Sequence, residues 1–236
     1  MFILKDVVEN CLYLDVETAS IEKDLETLRE KNPRLAGLWS KRAKFYRNGN
    51  SEYVTMADDG IFKEKAALEP EFSRIVCVSF GSFDTNSPEG MRFISFAGND
   101  EVEILQKTNK ILNNAAVQGL KLCGHNIKGF DIPCIGKRMI YNGIQPDDML
   151  KVWGKKPWEI PYLDTAEVFG FGSWSQQRSL GLDLLTCSLG LESPKANIDG
   201  SMVSEYYWDG RISEISTYCE ADVKAVMLAM KKLLFE

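Results

Sequence analysis

The sequence has few of the residues on which several classes of protein depend. Its 236 residues include a single histidine and six cysteines, and no two cysteines form a CxxC pair. Zinc sites built from cysteine and histidine, and disulfide frameworks, are therefore not indicated. Several cysteines lie in apolar runs, as Cys77 does. There a free thiol behaves as a small hydrophobic residue.

Long apolar segments and an excess of basic residues are also missing. No run approaches the roughly 18 apolar residues that a membrane-spanning helix needs. The first residues, 1–6, lack the basic segment and long apolar stretch of a signal peptide, so we expect a cytoplasmic protein with no membrane partner. The formal net charge is −6, whereas proteins that bind nucleic acid usually carry a basic surface. A nucleic-acid function therefore has to be argued from particular residues.

The composition that is present is typical of a globular protein. Hydrophobic residues make up 44% of the chain, which is enough for a core and argues against disorder. Residues 12–17 form an apolar run typical of a buried strand. Residues 18–70 are rich in charged residues with helical spacing, interrupted at Pro33, Gly49 and Asp59-Gly60. We expect one domain over residues 1–236, with 18–70 as a helical insertion after the first strand.

The remaining pattern predicts strands followed by helices. Two of the strands are joined by a turn-rich segment and are expected to form a hairpin. The predicted later strands are 75–83, 91–97, 121–125 and 162–164, and the predicted helices are 99–118, 131–142 and 212–234. Four leucines are expected to share one helical stripe: Leu180, Leu184, Leu185 and Leu189. A hairpin followed by alternating strands and helices favours an α/β fold with a mixed five-stranded sheet.

The first strand ends in two acids, Asp15 and Glu17, separated by one residue. Side chains alternate across a strand, so both carboxylates are expected on the same face. Like charges about 4 Å apart repel by roughly 4 kcal/mol at an effective dielectric of about 20. A divalent cation would turn this repulsion into ligation. The alternative is a solvated strand end without a metal.

Two later motifs also end in aspartate. Asn126, Phe130 and Asp131 follow the fourth predicted strand, where Asp131 is either a metal ligand or the N-cap of the next helix. Tyr218 and Asp222 are four residues apart on the last helix and therefore share a face. Taken alone, that pair is better explained as a tyrosine hydrogen-bonded to an aspartate in the core.

In this order the motifs resemble the DEDDy group of DnaQ-like 3′–5′ exonucleases, which have a ribonuclease-H-like fold. The resemblance implies that Tyr218 positions the attacking water and that four acids bind two divalent cations, Mg²⁺ or Mn²⁺: Asp15, Glu17, Asp131 and Asp222. It also implies that the terminal nucleotide of the substrate contacts the amide of Thr18 and the side chains of Asn126 and Phe130. The sister group has histidine at one of the positions occupied here by Thr217 and Tyr218, so the chain resembles the tyrosine type.

Segments 69–78 and 218–223 resemble predicted exonucleases related to the editing domain of family B DNA polymerases. The resemblance covers most of the chain and is weakest over 18–68 and 145–178. It implies release of nucleoside monophosphates from the 3′ end of DNA, with single-stranded DNA favoured. We expect no polymerase domain attached after the last helix, so that a polymerase or repair partner would act in trans.

Two alternatives remain open. An exoribonuclease or oligonucleotide-trimming enzyme would have the same acids, because DNA and RNA are distinguished by the surroundings of the 2′-hydroxyl. A non-catalytic nucleic-acid-binding module of the same fold would ordinarily lack one or more of the acids, and none is missing here.

Other polar residues have simpler explanations. We expect a structural role for His125 at the end of its strand, and N-capping of the following helix by Asp164. The densest basic cluster lies in the insertion. Such a cluster is usually a solvated face, but it is also the best candidate for phosphate contacts. It comprises Lys41, Arg42, Lys44 and Arg47.

Overall fold

The computed structural model describes residues 8–156, 159–171, 180–193 and 198–234. Its sheet has the strand order β3-β2-β1-β4-β5. β1 pairs antiparallel with β2, as β2 does with β3, whereas β1–β4 and β4–β5 are parallel. The mixed five-stranded sheet predicted from the sequence is confirmed. The strands are β1 (Cys11–Ser20), β2 (Ser73–Phe83), β3 (Met91–Ala97), β4 (Lys121–Gly124) and β5 (Tyr162–Asp164).

Helices cover both faces of the sheet. Even-numbered residues of β1, such as Leu14, pack with α4 and α5, whereas Tyr13 packs against Val223 and Met227 of α9. None of the helices in the described ranges has both the length and the apolar character to cross a bilayer. The helices are α1 (Leu25–Lys31), α2 (Pro33–Gly49), α3 (Asp58–Lys65), α4 (Glu101–Val117), α5 (Asp131–Tyr141), α6 (Thr165–Gly170), α7 (Leu182–Ser188), α8 (Val203–Trp208) and α9 (Ile212–Leu233).

The helices between β1 and β2 have a core of their own. Its centre is the fully buried Trp39 of α2, whose ring packs edge-on against Phe62 at 5.1 Å and Phe72 at 4.9 Å between centroids. α2 begins with Pro33 at its first turn, where a missing amide hydrogen costs nothing, and ends at Gly49. The predicted helical insertion is therefore confirmed.

The first strand extends beyond residue 18, where the insertion was predicted to begin. β1 continues through Ala19 and Ser20, which pair with Arg74 and Ser73 of β2. The strands stay paired beyond the two acids because Ala19 and Ser20 are buried. The expected break at residues 59–60 is also wrong, since both lie inside α3.

The predicted leucine stripe is only partly formed. Leu185 of α7 is fully buried, whereas Leu184 is 58% exposed. Adjacent residues on an α-helix point about 100° apart, so both could not face the same core.

A glycine on β2 allows α9 to pack closely on the sheet. A Cβ atom at Gly81 would lie 2.7 Å from Val223 Cγ1 and 2.8 Å from Met227 Sδ. Both distances are below any normal contact, so a larger residue would push α9 away from the strands. This position therefore sets the distance between α9 and β1.

A buried ion pair joins α4, α5 and β2. Arg138 donates to both carboxylate oxygens of Glu101, from Nε at 2.8 Å and from Nη2 at 2.6 Å. Glu101 also accepts from the amide of Ile75 at 2.7 Å and from Asn142 Nδ2 at 3.1 Å. Arg138 Nη1 donates to the carbonyl of Pro70 at 3.1 Å. The pair therefore fixes α5 relative to the sheet.

We predict that removing one partner of this pair destabilises the protein strongly. Glu101→Gln leaves the buried Arg138 charge uncompensated and should cost about 3–5 kcal/mol of unfolding free energy, measured by urea denaturation. Asp59→Asn is the control, because it breaks the exposed pair with Arg29, which should contribute at most about 1 kcal/mol. Equal losses in the two variants would contradict the structural role of the buried pair.

Candidate active site

Three carboxylates converge between β1 and α9. Asp15 and Glu17 lie opposite Ser79 and Cys77 of β2 and face α9, which brings Asp222 to the same place. Each acid offers a carboxylate oxygen, and these oxygens lie within 4.8 Å of one another. Glu17 and Asp222 are buried, and Asp15 is partly exposed. The predicted shared face of Asp15 and Glu17 is confirmed.

Burial and mutual repulsion disfavour the charged forms of these acids. Burial raises the pKa of Glu17 well above its ordinary value, and the charges of Asp15 and Asp222 raise it further. Burial likewise raises the pKa of Asp15, with a further contribution from the charge of Asp131. A cation bound among the carboxylates would relieve both effects. Because the group offers only oxygen donors, it fits Mg²⁺ or Mn²⁺ better than zinc.

The fourth predicted acid, Asp131, lies outside this group of three. It is the first residue of α5 and is 3% exposed. Burial raises its pKa to about 7, with added effects from the charges of Asp164 and Asp222, while backbone amides including that of Val16 oppose the rise. Phe130, not Asp131, occupies the N-cap position of α5, so the N-cap explanation of Asp131 is wrong.

The loop that leads to Asp131 is held by Asp164. The Asp164 carboxylate accepts from the amides of Asn126 at 2.9 Å, Lys128 at 3.3 Å and Ala166 at 3.0 Å. The last of these bonds confirms its predicted role as the N-cap of α6. Its bonds to the loop were missed, because nothing in the sequence indicates that β5 lies beside β4.

Asn126 and Phe130, the predicted substrate contacts, lie in this loop. Asn126 is exposed and has a left-handed backbone with φ of 54°. Its side chain leaves no room for a Cβ atom at Gly129, which would lie 2.4 Å from Asn126 Oδ1. Phe130 is partly exposed. Both side chains are therefore accessible from solvent, and any larger residue at position 129 would displace the Asn126 side chain.

His125 has the structural role that the sequence predicted. Its Nε2 donates to the carbonyl of Leu180 at 2.7 Å, and its Nδ1 lies 2.9 Å from the hydroxyl of Thr165. Burial lowers the pKa of His125 below its ordinary value, so the ring is neutral at physiological pH and Nδ1 accepts from Thr165.

Tyr218 lies on α9 beside the three carboxylates, on the face it shares with Asp222. It is buried. Burial raises the pKa of its hydroxyl, and the charges of Asp222, Glu17 and Asp15 together with a hydrogen bond to Asp222 raise it further. The hydroxyl is therefore protonated at every working pH. It can donate a hydrogen bond within the acidic group but is unsuited to accept a proton as a general base.

Cys219 contacts Asp15 in a way that the sequence did not indicate. Its Sγ donates to the carbonyl of Asp15 at 3.4 Å and to Oδ2 of the same residue at 3.3 Å. The second contact lowers the pKa of Asp15, against the larger effect of burial. A buried cysteine in an apolar stretch is ordinarily a packing residue, so only the packing of α9 on β1 reveals this bond.

Thr18 connects the acidic group to the insertion. The pairing of β1 with β2 shifts register between Glu17 and Thr18, a bulge of the kind often found beside active sites. Thr18 is buried, and its hydroxyl donates to the carbonyl of Ala67 at 2.7 Å. Its side chain is therefore committed to holding the end of the insertion against β1.

A comparison with solved structures shows the same fold in a DNA polymerase. The family B DNA polymerase from the hyperthermophilic archaeon Pyrobaculum calidifontis matches 94% of this chain with a TM-score of 0.54 and 14% sequence identity. The chain spans 24% of the length of that polymerase. A search of curated protein sequences finds no significant match.

A family model described as a predicted 3′–5′ exonuclease related to the exonuclease domain of PolB matches residues 66–232. The matched part contains Asp131, Tyr218 and Asp222, whereas Asp15 and Glu17 precede it. It covers more than half of the chain. The protein therefore belongs to this family of predicted 3′–5′ exonucleases related to the exonuclease domain of PolB.

Proposed function

We propose that the protein is a metal-dependent 3′–5′ exonuclease of the DEDDy type. It removes nucleoside monophosphates from the 3′ end of DNA, preferentially single-stranded, by two-metal phosphodiester hydrolysis. We propose further that residues 1–236 act as a single exonuclease domain in the cytoplasm, with a polymerase or repair partner in trans. Family membership supports the 3′–5′ exonuclease activity.

The proposal is based on three carboxylates that pack close together. Without a cation, burial and mutual repulsion make their charged forms unfavourable. Asp15, Glu17 and Asp222 offer oxygens within 4.8 Å of one another, and burial raises the pKa values of Asp15 and Glu17. A protein core gains nothing from such a group unless a cation joins it. Divalent cations would supply positive charge beside the scissile phosphate and acidify the attacking water.

The residues of the chain have distinct roles in this proposal. Asp15, Glu17 and Asp222 bind the cations directly. Asp131, which lies outside the group of three, would add a fourth carboxylate to the site from the start of α5. The amide of Thr18 and the side chains of Asn126 and Phe130 contact the terminal nucleotide, with the Phe130 ring stacking on a base.

Tyr218 orients the attacking water. Because the pKa of its hydroxyl is raised, it stays protonated and would hold the water by a hydrogen bond. A bound divalent cation would acidify that water, so that its proton passes to solvent. Positioning of a reactant lowers the entropic part of the barrier. The hydroxyl therefore contributes to rate without contributing to metal affinity.

A ladder assay tests the activity. With Mn²⁺ or Mg²⁺, a 5′-labelled single strand should give a series of successively shorter products, and a 3′-labelled strand should release labelled mononucleotide at once. Chelator should abolish both results. The same assay on RNA distinguishes the exoribonuclease alternative. Internal cuts, or cleavage that persists in chelator, would contradict the proposal.

Removal of metal should make stability depend on pH. The folded-state pKa values of Asp15, Glu17 and Asp131 are raised, so the folded protein binds protons more tightly than the unfolded chain. Without metal, the contribution of these three acids to stability is most favourable below their unfolded pKa values of about 4 and is lost as pH rises through the folded values, about 7 for Asp131. Mn²⁺ should raise the melting temperature most at the upper end of this range, by mass action.

Asp15→Asn tests whether repulsion among the acids causes the pH dependence of stability in the absence of metal. By removing one of the repelling charges, it should raise the melting temperature of the metal-free protein near neutral pH, reduce the gain from Mn²⁺ and abolish cleavage. The exposed Asp209→Asn serves as the matched control and should behave as the parent protein. The proposed metal site would be contradicted if the melting temperature of the metal-free protein did not depend on pH and did not rise when Mn²⁺ was added.

Tyr218→Phe separates water positioning from metal binding. We expect single-turnover cleavage to slow by about 10²–10⁴-fold while the Mn²⁺ titration stays nearly unchanged. Asp222→Ala should weaken Mn²⁺ binding as well as slow cleavage. If the tyrosine only packs in the core, Tyr218→Phe would cost about 1 kcal/mol of stability and leave the rate unaltered.

A matched tyrosine in the insertion controls for loss of a buried hydroxyl. Tyr53 is buried and its hydroxyl donates to Glu64 at 3.1 Å. Tyr53→Phe should therefore show the loss of stability without the loss of rate. An equal slowing in both tyrosine variants would contradict a specific role of Tyr218 in the reaction.

A further inference from the structure

The helix α2 is strongly basic in an otherwise acidic protein. Its residues Pro33–Gly49 include five basic side chains and no acidic one, although the whole chain has a net charge of −6. The family model that matches the chain begins at residue 66, so this helix lies outside the matched part. Its charge is therefore not accounted for by the matched part of the chain.

Two of the basic side chains are already neutralised within the insertion. Arg42 donates to Glu69 from Nε at 2.8 Å, and Arg47 donates to the carbonyl of Met56 at 2.9 Å and pairs with Asp58. These two members of the predicted phosphate-binding cluster are structural. Lys41 and Lys44 are exposed, and neither forms an ion pair with any residue of the described ranges.

The remaining charges lie on an exposed face that also carries apolar residues. The buried face of α2 contains Ala36, Trp39 and Ala43. The residues on the opposite side are exposed, among them Phe45 at 62% and Leu38 at 45%. We call this side the α2 outer face, formed by Arg34, Leu38, Lys41, Lys44 and Phe45. Cations beside an exposed aromatic ring are the combination that binds single-stranded nucleic acid.

The exposed ring of Phe45 is held in place from below. The guanidinium carbon of Arg42 lies 4.9 Å from the centroid of the Phe45 ring, and Arg42 is itself fixed by its bonds to Glu69. The Phe45 and Tyr46 rings also pack edge-on, with centroids 6.3 Å apart. A ring that is already ordered loses little conformational freedom when a base stacks on it.

A short series of contacts connects this face to the acidic group. Thr18, next to Glu17, donates to the carbonyl of Ala67. Two residues further on, Glu69 holds Arg42 beneath the Phe45 ring. The insertion therefore places its basic face at a fixed position relative to the three carboxylates.

We propose that the α2 outer face binds the single-stranded part of the substrate upstream of the 3′ end. The phosphates contact Lys41, Lys44 and Arg34, and a base stacks on Phe45. The inference rests on the proposed function, and it assigns the insertion the role of holding strands too long for the acidic group alone. The proposal therefore expects a longer strand to contact this face and a dinucleotide to be held by the acidic group alone.

Substrate length is the measurement that tests the proposal. In Lys41→Glu/Lys44→Glu, kcat/KM for a single strand of roughly 20 nucleotides should fall by about 10-fold or more, and kcat/KM for a dinucleotide should not change. Phe45→Ala and Phe45→Leu should show the same dependence on length, since leucine keeps the apolar bulk but not the ring. An equal loss on both substrates, or none on either, would overturn the proposal.

Direct binding separates this inference from the proposed activity. Fluorescence anisotropy with the longer strand, in an Asp15→Asn background that does not cleave, should show weaker binding in the lysine variant. The slope of the logarithm of the binding constant against the logarithm of salt concentration should also become shallower by about one for each lysine replaced. Lys110→Glu/Lys121→Glu makes the same charge change at exposed positions of α4 and β4 and should bind as the parent does. Equal weakening in both lysine pairs would show general electrostatics and overturn a specific surface.

Discussion

Repulsion among buried carboxylates is the constraint on which the rest of this structure depends. Asp15 and Glu17 are fixed on one face of β1, and α9 brings Asp222 within 4.8 Å of them. Burial makes the charged forms costly, as the raised pKa values of Asp15 and Glu17 show. Such a group stays together only if the surrounding scaffold is stable enough to hold it or a cation neutralises it. The geometry therefore follows from function and not from packing.

Several contacts around the group supply that stability. Gly81 lets α9 approach the sheet closely enough for Asp222 to reach β1. The buried pair of Arg138 and Glu101 fixes α5, and Asp164 holds the loop that leads into it. Asp131 thereby keeps its place beside the other acids although it is not one of the group of three. The arrangement of the four acids therefore depends on the sheet and on two helices that are far apart in sequence.

The insertion is attached to the same part of the molecule. Thr18 joins the strand that carries the acids to the residues just before β2, and Glu69 ties those residues to α2. The insertion has its own aromatic core around Trp39, which packs its helices against one another. An ordered element attached to the proposed active site is suited to hold substrate.

The sequence by itself determined the α/β fold, the shared face of Asp15 and Glu17, and the shared face of Tyr218 and Asp222. These follow from the periodicities of strands and helices, which are local. Only the tertiary structure decided that Asp222 joins Asp15 and Glu17 while Asp131 stays outside. It also decided that Cys219 bonds to Asp15, that Asp164 holds the Asn126 loop, and that Arg42 is neutralised while Lys41 is not. Each of these depends on the register of paired strands and on the distance between packed layers, which no local pattern in the chain specifies.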